Sequence, residues 1–231
     1  MQVEIWSDVV CPWCYVGKRR FERGLAEFAH RDQVEVTWRS FQLDGSAPHS
    51  DEVPGTAAEQ LAAKTGRTVA EAQQLHDQMA AMAAGDGLEF HFERMRAGNT
   101  WDAHRLLHLA KEHGIQDPLK EALDHATFTE GLSVSDHDEL TAVAVAVGLA
   151  EDDVREVLGS DRFAADVRAD LRQAQLFGIT GVPHFVLDRR YAVPGAQSPE
   201  TVLRALEQAW ADRPLQVIGD GDACEGDACV V

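Results

Sequence analysis

A change of hydrophobic period across two cysteines limits this chain more than any other feature. Val3-Glu4-Ile5-Trp6 is rich in strand-forming types, whereas Phe21, Leu25 and Phe28 recur at helical spacing. Cys11-Pro12-Trp13-Cys14 falls between them, where a strand gives way to a helix beginning near Pro12. Proline suits the first helical position because its missing N–H is not needed there. Cys11 is therefore expected at the mouth of the helix, facing unpaired amides and the positive end of the dipole. Both favour thiolate over thiol. Cysteines at this spacing can close a small disulfide or hold two corners of a metal site. The flanking strand and helix, with no second pair nearby, favour redox chemistry. Cys11 is then the attacking thiolate, and Cys14, one turn in, the resolving thiol. Trp13 is expected to be partly exposed, where its ring either meets a substrate or only caps the turn.

Val34 to Phe41 alternates apolar with polar residues and predicts a second strand. Strand, cysteine-bearing helix and strand make a βαβ unit, normally a parallel pair with a right-handed crossover. The cysteines then sit at the carboxyl end of the first strand, the usual ligand-facing edge of such a sheet. Gly45, Pro48 and Pro54 mark a loop, and from about Thr56 to Leu158 the pattern is helical. Helices are expected over 56–64, from Thr68 to Ala84, and over 100–113, 118–125, 136–147 and 152–158. Thr68 and Glu71 have capping-box spacing, and Leu106, Leu107, Leu109 and Ala110 face inward. A further helix over 161–177 presents Phe163, Val167, Leu171 and Ala174 on one face and stops at Gly178. Strands over 184–187 and 191–193 form a hairpin, and a helix over 200–210 follows. This order predicts an α/β thioredoxin fold with a large inserted all-helical subdomain. Residues 1–43 and 159–212 form the thioredoxin-like domain, 44–158 the insert, and 213–231 an acidic flexible tail.

The formal charge of −18, from 39 acidic and 21 basic residues, speaks against nucleic acid or an anionic membrane as partner. No stretch has the apolar length to span a bilayer. The amino terminus shows no secretion-signal pattern, and four cysteines are too few for a disulfide scaffold. Cytoplasmic location is the expectation. No GxGxxG or P-loop pattern occurs, and neither cofactor nor metal is expected. His104 and His108 have the spacing of ligands on one helix face, but no HExxH accompanies them, so a solvated or packed face is expected.

The chain resembles the DsbA-like thioredoxin family, and within it the FrnE-like branch of disulfide oxidoreductases and isomerases. The resemblance rests on Trp6-Ser7-Asp8-Val9-Val10-Cys11-Pro12-Trp13-Cys14-Tyr15-Val16-Gly17-Lys18, on Asn99-Thr100 with Asp102-Ala103-His104-Arg105, and on Phe177-Gly178-Ile179-Thr180-Gly181-Val182-Pro183. It implies a cis Val182–Pro183 bond facing the cysteines, with the Val182 backbone pairing to a substrate peptide. His184 either contacts the site or points inward. Related glutathione-dependent isomerases of 2-hydroxychromene-2-carboxylate usually carry serine where this chain has Cys11, which argues for thiol exchange. In that alternative Asn99, Thr100, Asp102, His104 and Arg105 would form the insert's side of a cleft; capping and packing is their plainer role. The resemblance also implies a redox relay through Cys224 and Cys229. An exposed pair without a partner is the plainer reading, and zinc held by all four cysteines would need the tail to fold back. The expected activity is thiol–disulfide oxidoreduction or isomerisation on protein or small-molecule thiols and disulfides, glutathione among them. The rival classes are a glutathione-dependent isomerase or transferase and a non-enzymatic chaperone or binding module.

Overall fold

The first strand, β1 (Gln2–Ser7), lies inside a four-stranded sheet of order β2-β1-β3-β4 in a computed structural model that describes residues 1–49, 54–96 and 98–213. β2 (Glu35–Ser40) runs parallel to β1, with Ile5 opposite Trp38. β3 (His184–Leu187) runs antiparallel on the other side, with Ile5 opposite Phe185, and β4 (Tyr191–Pro194) completes the hairpin. Both faces of β1 are covered, which explains its weak alternation. Val3 and Ile5 pack with Phe21, Phe28, Phe185 and Leu206, beneath α1 (Pro12–Glu27) and α9 (Pro199–Ala211). On the opposite face Trp6 packs with Ala174, Ile179 and Val186, under α8 (Ala164–Leu176). Glu4, also buried on that face, is paired with Arg39 and Arg189.

Between β2 and α8 the chain builds α2 (Ala57–Thr65), α3 (Val69–Gly85), α4 (Trp101–Glu112), α5 (Gln116–His125), α6 (His137–Ala146) and α7 (Glu151–Leu158). The thioredoxin core with its inserted helical subdomain is therefore present. Thr68 and Glu71 close the expected capping box, and Thr56 and Glu59 close another. α4 to α7 share a core of leucines and valines that includes Val9, from the loop before Cys11. A second cluster joins Tyr15 and Val16 of α1 to Met79, Phe90, Phe92 and Phe128. The cysteine-bearing turn is thus gripped by insert side chains on two sides.

Polar contacts join the insert, the sheet and α8. The Gln116 side chain accepts from Trp38 N at 3.0 Å and donates to Trp38 O at 2.9 Å, covering the outer edge of β2. Asp170 of α8 accepts from Ser40 N and from Arg39, and lies 3.0 Å from His108 of α4.

Two local expectations need correction. Phe163 lies before α8 rather than within it: its φ is +63° and the helix begins at Ala164. The segment after α5 continues as a π-helical turn, Ala126–Glu130, which buries Phe128. The tail with Cys224 and Cys229 lies outside the described residues. Among the described residues no helix is long and apolar enough to cross a membrane.

Candidate active site

Cys11 stands at the N-cap of α1 with extended backbone (φ −95°, ψ 108°), and Pro12 opens the helix. The turn is closed by Cys14 N donating to Cys11 O at 2.9 Å and Cys11 N donating to Asp8 O at 3.3 Å. Both cysteines are free thiols, 4 % and 0 % exposed, while Trp13 between them is 41 % exposed. Opposite them the Val182–Pro183 bond is cis. The Cys11 thiol donates to Val182 O at 3.6 Å. Gly17, on α1, leaves room for the Pro183 ring: a Cβ there would lie 2.8 Å from Pro183 Cγ. Cys11, Cys14, Val182 and Pro183 therefore meet at one end of the sheet.

The ionisation expected of Cys11 is corrected by its surroundings. The Cys14 side chain, burial and the Asp8 carboxylate push the Cys11 thiol well above the usual thiol range, while the Cys14 backbone amide pulls the other way. Two adjacent sulfurs cannot both ionise cheaply, and a carbonyl that accepts the Cys11 proton stabilises the neutral form. At rest Cys11 is a buried thiol.

Asp8 is a site residue that the motif reading passed over. It is fully buried beside Cys11, accepts from Leu43 N at 2.8 Å, and lies 3.2 Å from His104 Nε2 of α4. His104 Nδ1 is buried without a hydrogen-bond partner among the described residues, so the proton belongs on Nε2, shared with Asp8. An acid three residues before the first cysteine, at the end of a buried strand, was the available signal. His108 turns to Asp170 and Ser40 instead. The two histidines are packed against separate partners, and among the described residues no group of three or more His, Cys, Asp or Glu is placed to hold a metal. His184 opens β3 opposite Trp6 and has no hydrogen bond to either cysteine. Burial holds its pKa below the ordinary value.

Most residues of the glutathione alternative are engaged elsewhere. Arg105 is buried, bonded to Asp102 and to the carbonyls of Val157, Ser160 and Arg162, and so ties α4 to the turn before α8. Asn99 accepts from Trp101 N at 2.9 Å, capping α4, and holds the carbonyls of Gly45 and Ala47. Thr100 does line a chamber that opens beside Trp13.

Residues 2–207 match the family model of the DSBA-like thioredoxin domain. The probable DsbA oxidoreductase of Streptomyces coelicolor is 46 % identical and superposes with a TM-score of 0.89 over 100 % of this chain and 99 % of its own. The Bacillus subtilis protein YwbO is 27 % identical over 209 residues, 89 % of this chain and 96 % of its own length. A 2-hydroxychromene-2-carboxylate isomerase shares the fold at 14 % identity, with a TM-score of 0.62 over 91 % of this chain and 95 % of the other.

Proposed function

This chain belongs to the DsbA-like thioredoxin family, and from that membership and the geometry we propose that it is a thiol–disulfide oxidoreductase or isomerase working through Cys11 and Cys14. The observation that carries the reading is the Cys11 thiol at the mouth of α1, 3.6 Å from the carbonyl preceding Pro183. The 46 % identical Streptomyces protein supports it.

The Cys11 thiolate attacks one sulfur of a substrate disulfide. A Cys11–substrate disulfide forms, and the other substrate sulfur leaves as a thiolate. Cys14, once deprotonated, attacks the Cys11 sulfur, releases the second substrate thiolate and closes the Cys11–Cys14 disulfide. Two electrons pass from enzyme to substrate, and the two thiol protons end on the released sulfurs. Run backwards, the same steps insert a disulfide; attack on another sulfur of a bound mixed disulfide isomerises one. Asp8 is a positioning group: its backbone carbonyl accepts from Cys11 N, and its carboxylate is held by Leu43 N and lies beside His104. Trp13 is exposed for substrate contact, and Val182 supplies backbone for a substrate chain.

The FrnE-like pattern extends the reading to Cys224 and Cys229 as a relay pair, and the cytoplasm is the proposed site of action. The test is direct: C11S abolishes turnover in a dithiothreitol-coupled insulin assay, and C14S accumulates mixed disulfides visible by mass spectrometry. Turnover that survives C11S refutes the assignment and favours the glutathione-dependent isomerase.

A further inference from the structure

The insert reaches Cys11 through one buried pair. His104, near the start of α4, and Asp8, in the loop that leads β1 into the cysteine turn, have side chains 1 % exposed and lie 3.2 Å apart, Nε2 to Oδ1. The other carboxylate oxygen of Asp8 accepts from Leu43 N at 2.8 Å, and its backbone carbonyl accepts from Cys11 N. Asp8 is thus tied to the insert by its side chain and to Cys11 by its main chain. His104 Nδ1 is buried without a hydrogen-bond partner among the described residues. An unmatched buried nitrogen is unfavourable, so packing alone favours an apolar side chain at this position. What the imidazole adds is an N–H donated to Asp8.

The Cys14 side chain and burial are the leading causes that push the Cys11 thiol up, and the Asp8 carboxylate adds to them. A buried carboxylate acts with little of the screening it has in water. An N–H held against it offsets part of its charge, so the field at Cys11 depends on His104. Other ionisable groups on the elements packed around this turn are engaged with their own partners. On α1, Lys18 is bound by Glu22, Asp117 and Glu121. On α4, Arg105 binds Asp102 and His108 lies against Asp170. Asp44, just past Leu43, binds Lys64. His184 of β3 is held below its ordinary pKa by burial, and so is uncharged where a thiol titrates.

We propose that His104 is a positioning residue for Cys11 that acts through Asp8: from the insert it holds the carboxylate and offsets its charge beside the nucleophile. The inference deepens the thiol-exchange reading and rests on it, yet its measurement needs no disulfide substrate. In the reduced full chain carrying Cys14→Ala, the rate of iodoacetamide labelling at pH 8, read by mass spectrometry on the Cys11 peptide, follows the thiolate fraction. Asp8→Asn keeps an acceptor for Leu43 N and removes the charge, so labelling should rise about tenfold. His104→Leu leaves the carboxylate without its donor, and labelling should fall about threefold. His104→Gln keeps an N–H and should recover most of that loss. In the Asp8→Asn background, His104→Leu should change nothing. A side chain that only fills space would act the same with or without the carboxylate. Labelling indifferent to Asp8→Asn, or a His104→Leu effect that persists in its background, overturns the proposal. Asp8→Asn conserves shape, so it decides the first point even where His104→Leu does not fold. If labelling follows this pattern while Cys11→Ser still turns over insulin, the pair stands and the exchange assignment falls. If Cys11→Ser is inert and labelling ignores both residues, the reverse holds.

Discussion

Gly17→Ala sets two known magnitudes against each other. In a helix interior the change from glycine to alanine contributes about 0.8–1.0 kcal/mol of propensity. At Gly17 the new methyl would lie 2.8 Å from Pro183 Cγ, 3.4 Å from Pro183 Cβ and 3.5 Å from Ala196 Cβ. The proline ring cannot turn aside, so it or α1 must move, and overpacking of this kind costs ~1–3 kcal/mol. The crowding wins, with a net loss of about 1–2 kcal/mol and a Tm lower by about 2–8 °C. Displacing Pro183 also shifts the Val182 backbone proposed to pair with a substrate chain, so exchange with insulin should fall about tenfold. Gly85→Ala is the control: Gly85 ends α3 and a Cβ there meets nothing within 4 Å, so that variant should gain up to ~1 kcal/mol with activity intact. Urea titration and the insulin assay on both variants decide it. A Gly17→Ala protein as stable and as active as wild type would refute the reasoning.

Because the Cys14 side chain is the foremost influence raising the Cys11 thiol, Cys14→Ala should move the midpoint of Cys11 alkylation by iodoacetamide to lower pH; a shift to higher pH contradicts that cause. In the insert, burial raises Asp124 to about 6 against the pull of its fully buried partner Lys120. Its folded value exceeds the unfolded 3.8, so the stability this group contributes is present below about pH 4 and is lost as pH rises through about 6. Urea midpoints measured from pH 4.5 to 7 should show that slope in wild type and lose it in Asp124→Asn; parallel curves would reject it.

The periods, breakers and caps carried the fold because each is local. Gly178 ends a helix, Thr68 and Glu71 close a box, and Val3 to Trp6 reads as strand wherever it lies in space. Phe163 and the π turn escaped for the opposite reason. Phe163 contacts the His108 ring of α4 rather than a neighbour on its own helix, and the turn forms where Phe128 joins Phe90 and Phe92. The site divides in the same way. Cys11, Cys14 and Pro183 announce themselves as residue types at a spacing. The Asp8–His104 pair spans 96 positions and exists only once α4 lies under the turn. The raised Cys11 thiol depends on burial beside the Cys14 sulfur, and the spacing of the two cysteines does not carry that burial.

The order of the strands has a cost during synthesis. β1 pairs early with β2, but its other neighbour begins at His184, and Ser40 is the last residue of β2. The ribosome must deliver the whole insert in between, which at ~5–20 residues per second takes about 7–30 s. Throughout that interval one side of the nascent sheet offers unpaired amides and carbonyls to any passing strand. The insert cluster that holds Val9 and the one that holds Tyr15 and Val16 both draw on chain made before His184 emerges, so shielding of the newborn edge falls to the helices that later frame the two sulfurs.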